Sequence, residues 1–224
     1  MHQPRIAIDG PAGAGKSTVA RIVAKRLGYL YIDTGAMYRA LTQKALRLGI
    51  DVRDAEVLTK LAEETEIVMV NQGDCGQRVL CDGEDVTDLI RTPEVSQQVS
   101  WVAMVEGVRR RMVILQRRLA GNGGVVMDGR DIGSFVIPDA EYKFFLTASI
   151  EERAERRRRE LTAKGYVVDL EELRRDIMQR DELDSRRAVA PLRQAPDAVL
   201  IDTTGLSVEE VVDKILTCCQ GGEA

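Results

Sequence analysis

The sequence predicts an α/β fold: a five-stranded parallel sheet covered by helices on both faces and interrupted by a small antiparallel insertion. Three observations carry that expectation. Five short apolar runs alternate with segments of helical periodicity, the pattern of strands buried on both sides. A glycine-rich loop joins the first run to the first helix. Near residue 65 the helical rhythm gives way to period-two alternation, which marks a separate, smaller sheet. With 224 residues the chain suits one core with appendages better than two equal domains.

Taken in order, Arg5-Ile6-Ala7-Ile8-Asp9 reads as a buried strand. Val19, Ile22, Val23 and Leu27 then recur at helical spacing, and Gly28 is placed to stop that helix. Tyr29 to Ile32 gives a second strand closing on Asp33-Thr34-Gly35. A helix through Met37, Leu41, Ala45 and Leu48 follows, then a shorter one around Val57 to Leu61. Ile67 to Val70 and Arg78 to Cys81 are the insertion strands, with Asp82-Gly83 as a tight turn toward Val86. Thr92 as N-cap with Pro93 in the first helical position opens the next helix, and another runs from about Glu106 until Gly121. Runs at Gly124 to Met127, Tyr142 to Leu146 and Ala198 to Ile201 complete the sheet, and Ser207 with Glu210 forms a capping box for a C-terminal helix. The expected organisation is a single domain over 1–224. Its core is 1–64, 93–149 and 188–224, its insertion 65–92 extends into the helices that follow, and its lid region is 150–187.

Composition excludes several classes. The net charge is -4, which argues against a nucleic-acid or membrane-surface binder. Cys75, Cys81, Cys218 and Cys219 form no paired CxxC, and the single histidine, His2, sits at the terminus, so zinc sites and histidine catalysis are not expected. The first strand begins within four residues and no run of eighteen apolar residues follows, which points to a cytoplasmic protein with reduced thiols and no membrane segment. A monomer is expected.

Gly10-Pro11-Ala12-Gly13-Ala14-Gly15-Lys16-Ser17 satisfies G-x-x-x-x-G-K-[ST] in its proper context, between a strand and a helix. Glycines in such a loop let successive N–H groups point inward at phosphate oxygens, and the helix N-terminus adds its positive dipole end. Lys16 is placed to reach the β- and γ-phosphates. Ser17 supplies a hydroxyl for direct contact with Mg²⁺, and Thr18 can assist from the next position. The loop implies a nucleoside triphosphate site. It fits a switch as well as a kinase.

A GTPase reading is weak. Asp202-Thr203-Thr204-Gly205 resembles a DxxG switch and Asn71-Gln72-Gly73-Asp74 a guanine-reading NKxD, but the second lacks its lysine and the order is wrong. A kinase instead requires arginines from several segments, because transfer between phosphate groups needs charge neutralised on donor, transferred group and acceptor. Asp33-Thr34-Gly35-Ala36-Met37-Tyr38-Arg39, Asp128-Gly129-Arg130-Asp131 and Arg180-Asp181-x-x-Asp184-x-x-Arg187-Ala188-Val189-Ala190-Pro191-Leu192 together resemble the bacterial cytidylate kinase family, essentially from end to end. The resemblance implies a three-layer P-loop kinase fold related to that of adenylate kinases, with an enlarged nucleotide-monophosphate-binding insertion. Adenylate kinases carry DTGD where this chain has Asp33-Thr34-Gly35-Ala36.

Matched position by position, the resemblance implies that Thr34, Arg39, Arg130 and Arg187 bind the acceptor phosphate of CMP or dCMP, a task suited to the planar guanidinium fork. Ser100, Arg109 and Asp131 match base-reading positions. Cytosine donates from N4 and accepts at N3, and uracil reverses both, so a site of that polarity leaves buried groups unpaired with UMP. Arg180 and Asp184 match ribose-contacting positions; their i,i+4 spacing alone fits a surface ion pair equally well, and the matching Arg187-to-Leu192 stretch tips the balance to the ribose role. Asp33 and Asp128 end strands beside the loop and are placed either to hold Mg²⁺ through water or to cap structure. The lid region carries eleven basic and eleven acidic residues between Glu151 and Arg187, a balance that disfavours nucleic acid. A closing lid would exclude water from the phosphates. Within its basic run, Arg153 and Arg157 are the expected catalytic arginines, and Arg158 and Arg159 are not. The implied reaction is transfer from ATP to CMP. The alternatives are a UMP or AMP kinase, or a regulatory nucleotide-binding module without an acceptor.

Overall fold

A computed structural model of the chain describes residues 3–71, 77–121 and 123–221. His2, Cys75 and the Gln72-Gly73-Asp74 part of the NKxD-like stretch lie outside the described residues. Strands β1 (Arg5–Asp9), β2 (Leu30–Asp33), β6 (Val125–Gly129), β7 (Tyr142–Thr147) and β8 (Val199–Asp202) form a parallel sheet in the order β2-β6-β1-β7-β8. A second, antiparallel sheet joins β3 (Ile67–Asn71), β4 (Gln77–Cys81) and β5 (Glu84–Asp85). The helices are α1 (Lys16–Leu27), α2 (Thr34–Arg47), α3 (Ala55–Glu64), α4 (Pro93–Met104), α5 (Glu106–Ala120), α6 (Ile150–Ala163), α7 (Leu170–Ser185) and α8 (Val208–Cys219). None of the described helices is long and apolar enough to cross a membrane.

Strand alternation sorts the core. Ile6, Ile8, Val126, Phe144 and Leu146 face α1 and α8, packing on Val19, Val23, Val212 and Ile215. Ala7, Val125 and Met127 point to the opposite face, against Val113, Ile132 and Val136. A third cluster, around Met37, Leu41, Leu58, Val79, Ile90, Val102 and Met112, joins the insertion sheet to α2–α5. The insertion is also tied to the main sheet by a side-chain amide. Gln77 donates to the Tyr31 carbonyl at 2.6 Å and accepts from the Asp33 N–H at 3.1 Å, standing in for a neighbouring strand at the edge of β2.

Helix ends follow local chemistry. Gly28, at φ 69°, lets Tyr29 N–H reach back to the Ala24 carbonyl. Thr92 caps α4 ahead of Pro93, and the capping box of Ser207 and Glu210 opens α8. Two short elements had no forecast: a 3-10 turn over Leu89–Arg91, and a single π-helical turn over Ile132–Val136, held by Asp9, whose two carboxylate oxygens accept from the Ile132 and Gly133 N–H groups at 2.8 Å each. Because β1 is flanked by β6 and β7, the sheet order reverses there. The crevice beyond the carboxyl ends of β1 and β6 is therefore the place where an open α/β sheet binds ligands.

Candidate active site

The loop between β1 and α1 is shaped by close approach. At Gly10, φ is +146° and a Cβ would stand 2.0 Å from the Leu146 carbonyl oxygen. Lys16, only 6% exposed, curls back so that Nζ donates to the Pro11 carbonyl at 2.7 Å. Burial, with help from Arg130, holds its ammonium well below the ordinary lysine range. Ser17 Oγ donates to Asp128 Oδ2 at 2.7 Å and Tyr31 Oη to Asp128 Oδ1 at 2.9 Å. Burial, and after it the neighbouring Asp33, pushes the Asp128 carboxyl up to about 6.

Facing this loop is a wall of guanidinium groups. Arg39 donates to Ser96 Oγ at 2.8 Å, and Arg157 reaches the same oxygen at 3.1 Å while pairing with Glu160. Arg130 Nε donates to Asp184 Oδ2 at 2.9 Å. Burial, and then Arg130, pulls Arg180 down to about 10. Arg39 is lowered well below its usual range by burial and by the charge of Arg180, with smaller contributions from Arg157 and Arg91. Mutual repulsion among these cations is what a polyanion would relieve.

Lys16, Ser17, Thr18, Arg39, Ser100, Arg130, Arg157 and Arg180 line one cleft of about 720 Å³, and Ala12, Gly13, Ala14 and Gly15 form its donor wall. Thr34, Arg109, Asp131, Asp184 and Arg187 are buried beside it. Thr34 Oγ1 donates to the Asp128 carbonyl at 2.6 Å, and Arg187 Nε to the Asp184 carbonyl at 3.0 Å. Arg109 is fully buried, pairs with Asp131 at 2.5 Å and lies over the Tyr38 ring. Ser100 Oγ donates to Asp184 Oδ1 at 3.3 Å, which links one base-reading candidate to one ribose-contacting candidate.

Two expectations need correction. Arg153 does not stand at the mouth of the cleft. It is buried beneath the loop, donating to the Ala148 and Ala12 carbonyls and pairing with Asp181, because the first turn of α6 packs against Gly13. Asp33 is committed to structure: Oδ1 caps α2 through the Ala36 N–H, and Oδ2 pairs with Arg91 at 2.9 Å. For Arg180 and Asp184 it is the alternative of a surface ion pair that fails, since Asp184 is 3% exposed and its partner is Arg130 on another segment.

The family model for cytidylate kinase matches residues 6–221. The chain belongs to the cytidylate kinase family. It is 58% identical to the cytidylate kinase of Symbiobacterium thermophilum over 215 residues, 96% of this chain and 95% of that one. With the cytidylate kinase of Geobacillus kaustophilus it shares 59% identity over 211 residues, 94% of each chain. A crystal structure of shikimate kinase from Bacteroides thetaiotaomicron superposes with a TM-score of 0.50 at 16% identity, covering 97% of this chain and 98% of that one, a likeness of fold alone.

Within this cytidylate kinase family fold, several residues at the site carry no motif of their own. Asp9 acts on the loop's surroundings through the Ile132 and Gly133 N–H groups, and Tyr31 through its hydroxyl on Asp128. Ser96 lies one helical turn before Ser100 on α4, a spacing that would have put both on one face. Arg156, from the basic run, donates to both Oγ1 and the carbonyl of Thr203 at 2.9 and 2.7 Å. That places the DxxG-like stretch beside the phosphate loop, where Thr203 Oγ1 also approaches the Ala14 carbonyl.

Proposed function

We propose that one cleft holds MgATP on the loop Gly10–Ser17 and CMP or dCMP against the arginine wall, and that the γ-phosphate passes between them by in-line displacement. Membership of the cytidylate kinase family makes the chain an ATP-dependent phosphotransferase with CMP as acceptor. The observation that carries the assignment of residues is the juxtaposition of the buried Lys16 with Arg39, Arg130, Arg157 and Arg180 across a single cleft. Catalysis of this kind rests on positioning and charge stabilisation, with no covalent enzyme intermediate. Lys16, Arg130 and Arg157 take the charge of the transferred group. Arg39 and Arg187, with the Thr34 hydroxyl, orient the acceptor phosphate.

The residues at the start of α1 fit magnesium. Ser17 and Asp128 present hard oxygen atoms side by side, and no group of three His, Cys, Asp or Glu forms a dedicated metal cage among the described residues. Ser17 would hold the ion directly and Asp128 through water. Bound there, Mg²⁺ supplies charge neutralisation at the β- and γ-phosphates. Asp131 and Ser100 accept from the cytosine N4 amino group, and Arg109 donates toward N3. Arg180 and Asp184 contact the ribose. The same reading has the enzyme acting as a monomer in the cytoplasm.

Measuring ADP formation from ATP with CMP, dCMP, UMP, AMP and GMP in parallel tests this. CMP and dCMP should stimulate turnover strongly and the others weakly. A different preferred acceptor reassigns the base site. ADP formation indifferent to every acceptor contradicts the two-substrate reading.

A further inference from the structure

We propose that Asp181 is a positioning residue that ties the phosphate loop to the acceptor-contacting face of α7, so that the two nucleotides bind cooperatively. The proposal rests on the two-substrate reading of the cleft. Within five residues α7 carries Arg180, Asp181 and Asp184. Arg180 lines the acceptor side, and Asp184 accepts from Arg130 at 2.9 Å and Ser100 at 3.3 Å. Asp181 turns the other way. Its Oδ1 accepts from the Ala12 N–H at 3.1 Å, and its Oδ2 pairs with the Arg153 guanidinium.

Arg153 completes a clamp. It donates to the Ala12 carbonyl at 3.0 Å and to the Ala148 carbonyl at 3.1 Å, so one ion pair holds both the amide and the carbonyl of a phosphate-loop residue. Behind it Ala12 packs on Ala154 and Ile177, one residue from each lid helix. The fit is close: a Cβ at Gly13 would stand 3.0 Å from the Arg153 Cβ. A largely buried ion pair between two elements transmits displacement, because separating it leaves charges uncompensated. A helical turn moves as a unit. Adjustment of the loop around a triphosphate therefore carries Arg180 and Asp184 with it, and ordering of α7 by CMP reshapes the loop. Linkage makes that coupling reciprocal.

Calorimetric titration of CMP into the full chain, alone and saturated with Mg²⁺ and a non-hydrolysable ATP analogue, tests this. In the wild type the analogue should tighten CMP by about fivefold or more. Asp181→Asn keeps an acceptor for the Ala12 N–H but removes the charge facing Arg153, and should bring that factor to within about twofold of unity. The double variant Arg153→Met with Asp181→Leu replaces the pair by apolar groups. It should show the same loss even if the lone amide destabilises the fold, and Asp181→Glu should recover part of the coupling. A purely structural Asp181 would lower the unfolding temperature and leave the ratio of the two affinities unchanged, which would overturn the proposal, as would a wild type without coupling. Wild-type turnover with CMP is measured on the same samples. Its absence sinks the cytidylate kinase reading, whereas normal turnover with independent binding sinks only the role of Asp181.

Discussion

Lys16 shows how a single side chain is prepared for its ligand. With its ammonium buried and close to Arg130, it is charged at a cost that a triphosphate removes. Lys16→Ala should lower kcat at least about a hundredfold, roughly 2.7 kcal/mol of transition-state stabilisation, measured at saturating ATP and CMP. In the proposed base site Asp131 would act through its position rather than its exposure, being paired with the fully buried Arg109. An amide there donates as well as accepts, so Asp131→Asn should cut the kcat/KM ratio of CMP over UMP by about tenfold or more while the KM for ATP moves less than about threefold. An unchanged ratio would remove base reading from that residue. Asp9 gives a pH dependence. Burial outweighs its two N–H donors and raises its carboxyl from the ordinary 3.8 to about 7, so the folded chain holds this proton more tightly than the unfolded one. The resulting stabilisation is complete below about pH 3.8 and is lost as pH rises through about 7, roughly 4 kcal/mol in all. Urea unfolding of wild type and Asp9→Asn between pH 5 and 8 should show the wild type losing stability relative to the variant as pH rises. A difference constant with pH would contradict the assignment.

Among the elements, the loop and the helices that back it are matched to atomic tolerance. Gly13 sits at φ +78°, and an added Cβ would meet the backbone oxygen of Arg153 at 3.1 Å as well as its Cβ. Backbone cannot step aside as a flexible side chain can. Gly13→Ala should therefore destabilise the fold by about 1–3 kcal/mol and raise the KM for ATP at least tenfold, read from urea unfolding and initial rates. Elements whose causes are local were legible in the sequence: Thr92-Pro93, Ser207 with Glu210, and Gly28 each mark a helix end through atoms within four residues of it. The π-helical turn at Ile132–Val136 was not, because the carboxylate that holds it belongs to Asp9, more than a hundred residues earlier. The same reason hid Arg153. Its face of α6 is set by Ala12, Ala148 and Asp181, and nothing in a run of arginines distinguishes the one that turns inward.

Across the whole molecule, four separated motif segments, joined by Arg157 of α6, deliver cations to one crevice, and the fold tolerates their repulsion. Contiguous motifs revealed which segments these are: the loop at Gly10–Ser17, the stretches at Asp33–Arg39 and Asp128–Asp131, and α7. They did not reveal the contacts made by Ser96, Arg91 and Gln77, which depend on how the insertion docks on β2 and α2. Arg180 measures the resulting conflict. Burial and Arg130 lower its guanidinium to about 10, and among the described residues its buried Nε has no hydrogen-bond partner. Sites built to bind anions are commonly less stable than the fold allows. Arg180→Met keeps the aliphatic bulk and removes the charge. After screening by the cleft's solvent it should stabilise the ligand-free chain by on the order of 1 kcal/mol, about 2–4 °C in Tm, while lowering kcat/KM for CMP at least tenfold. Differential scanning calorimetry without nucleotide, beside initial rates, checks both halves. A variant that loses stability together with activity would show that Arg180 holds the structure, and that the charge conflict is balanced by its carboxylate neighbours instead of being left for the substrate.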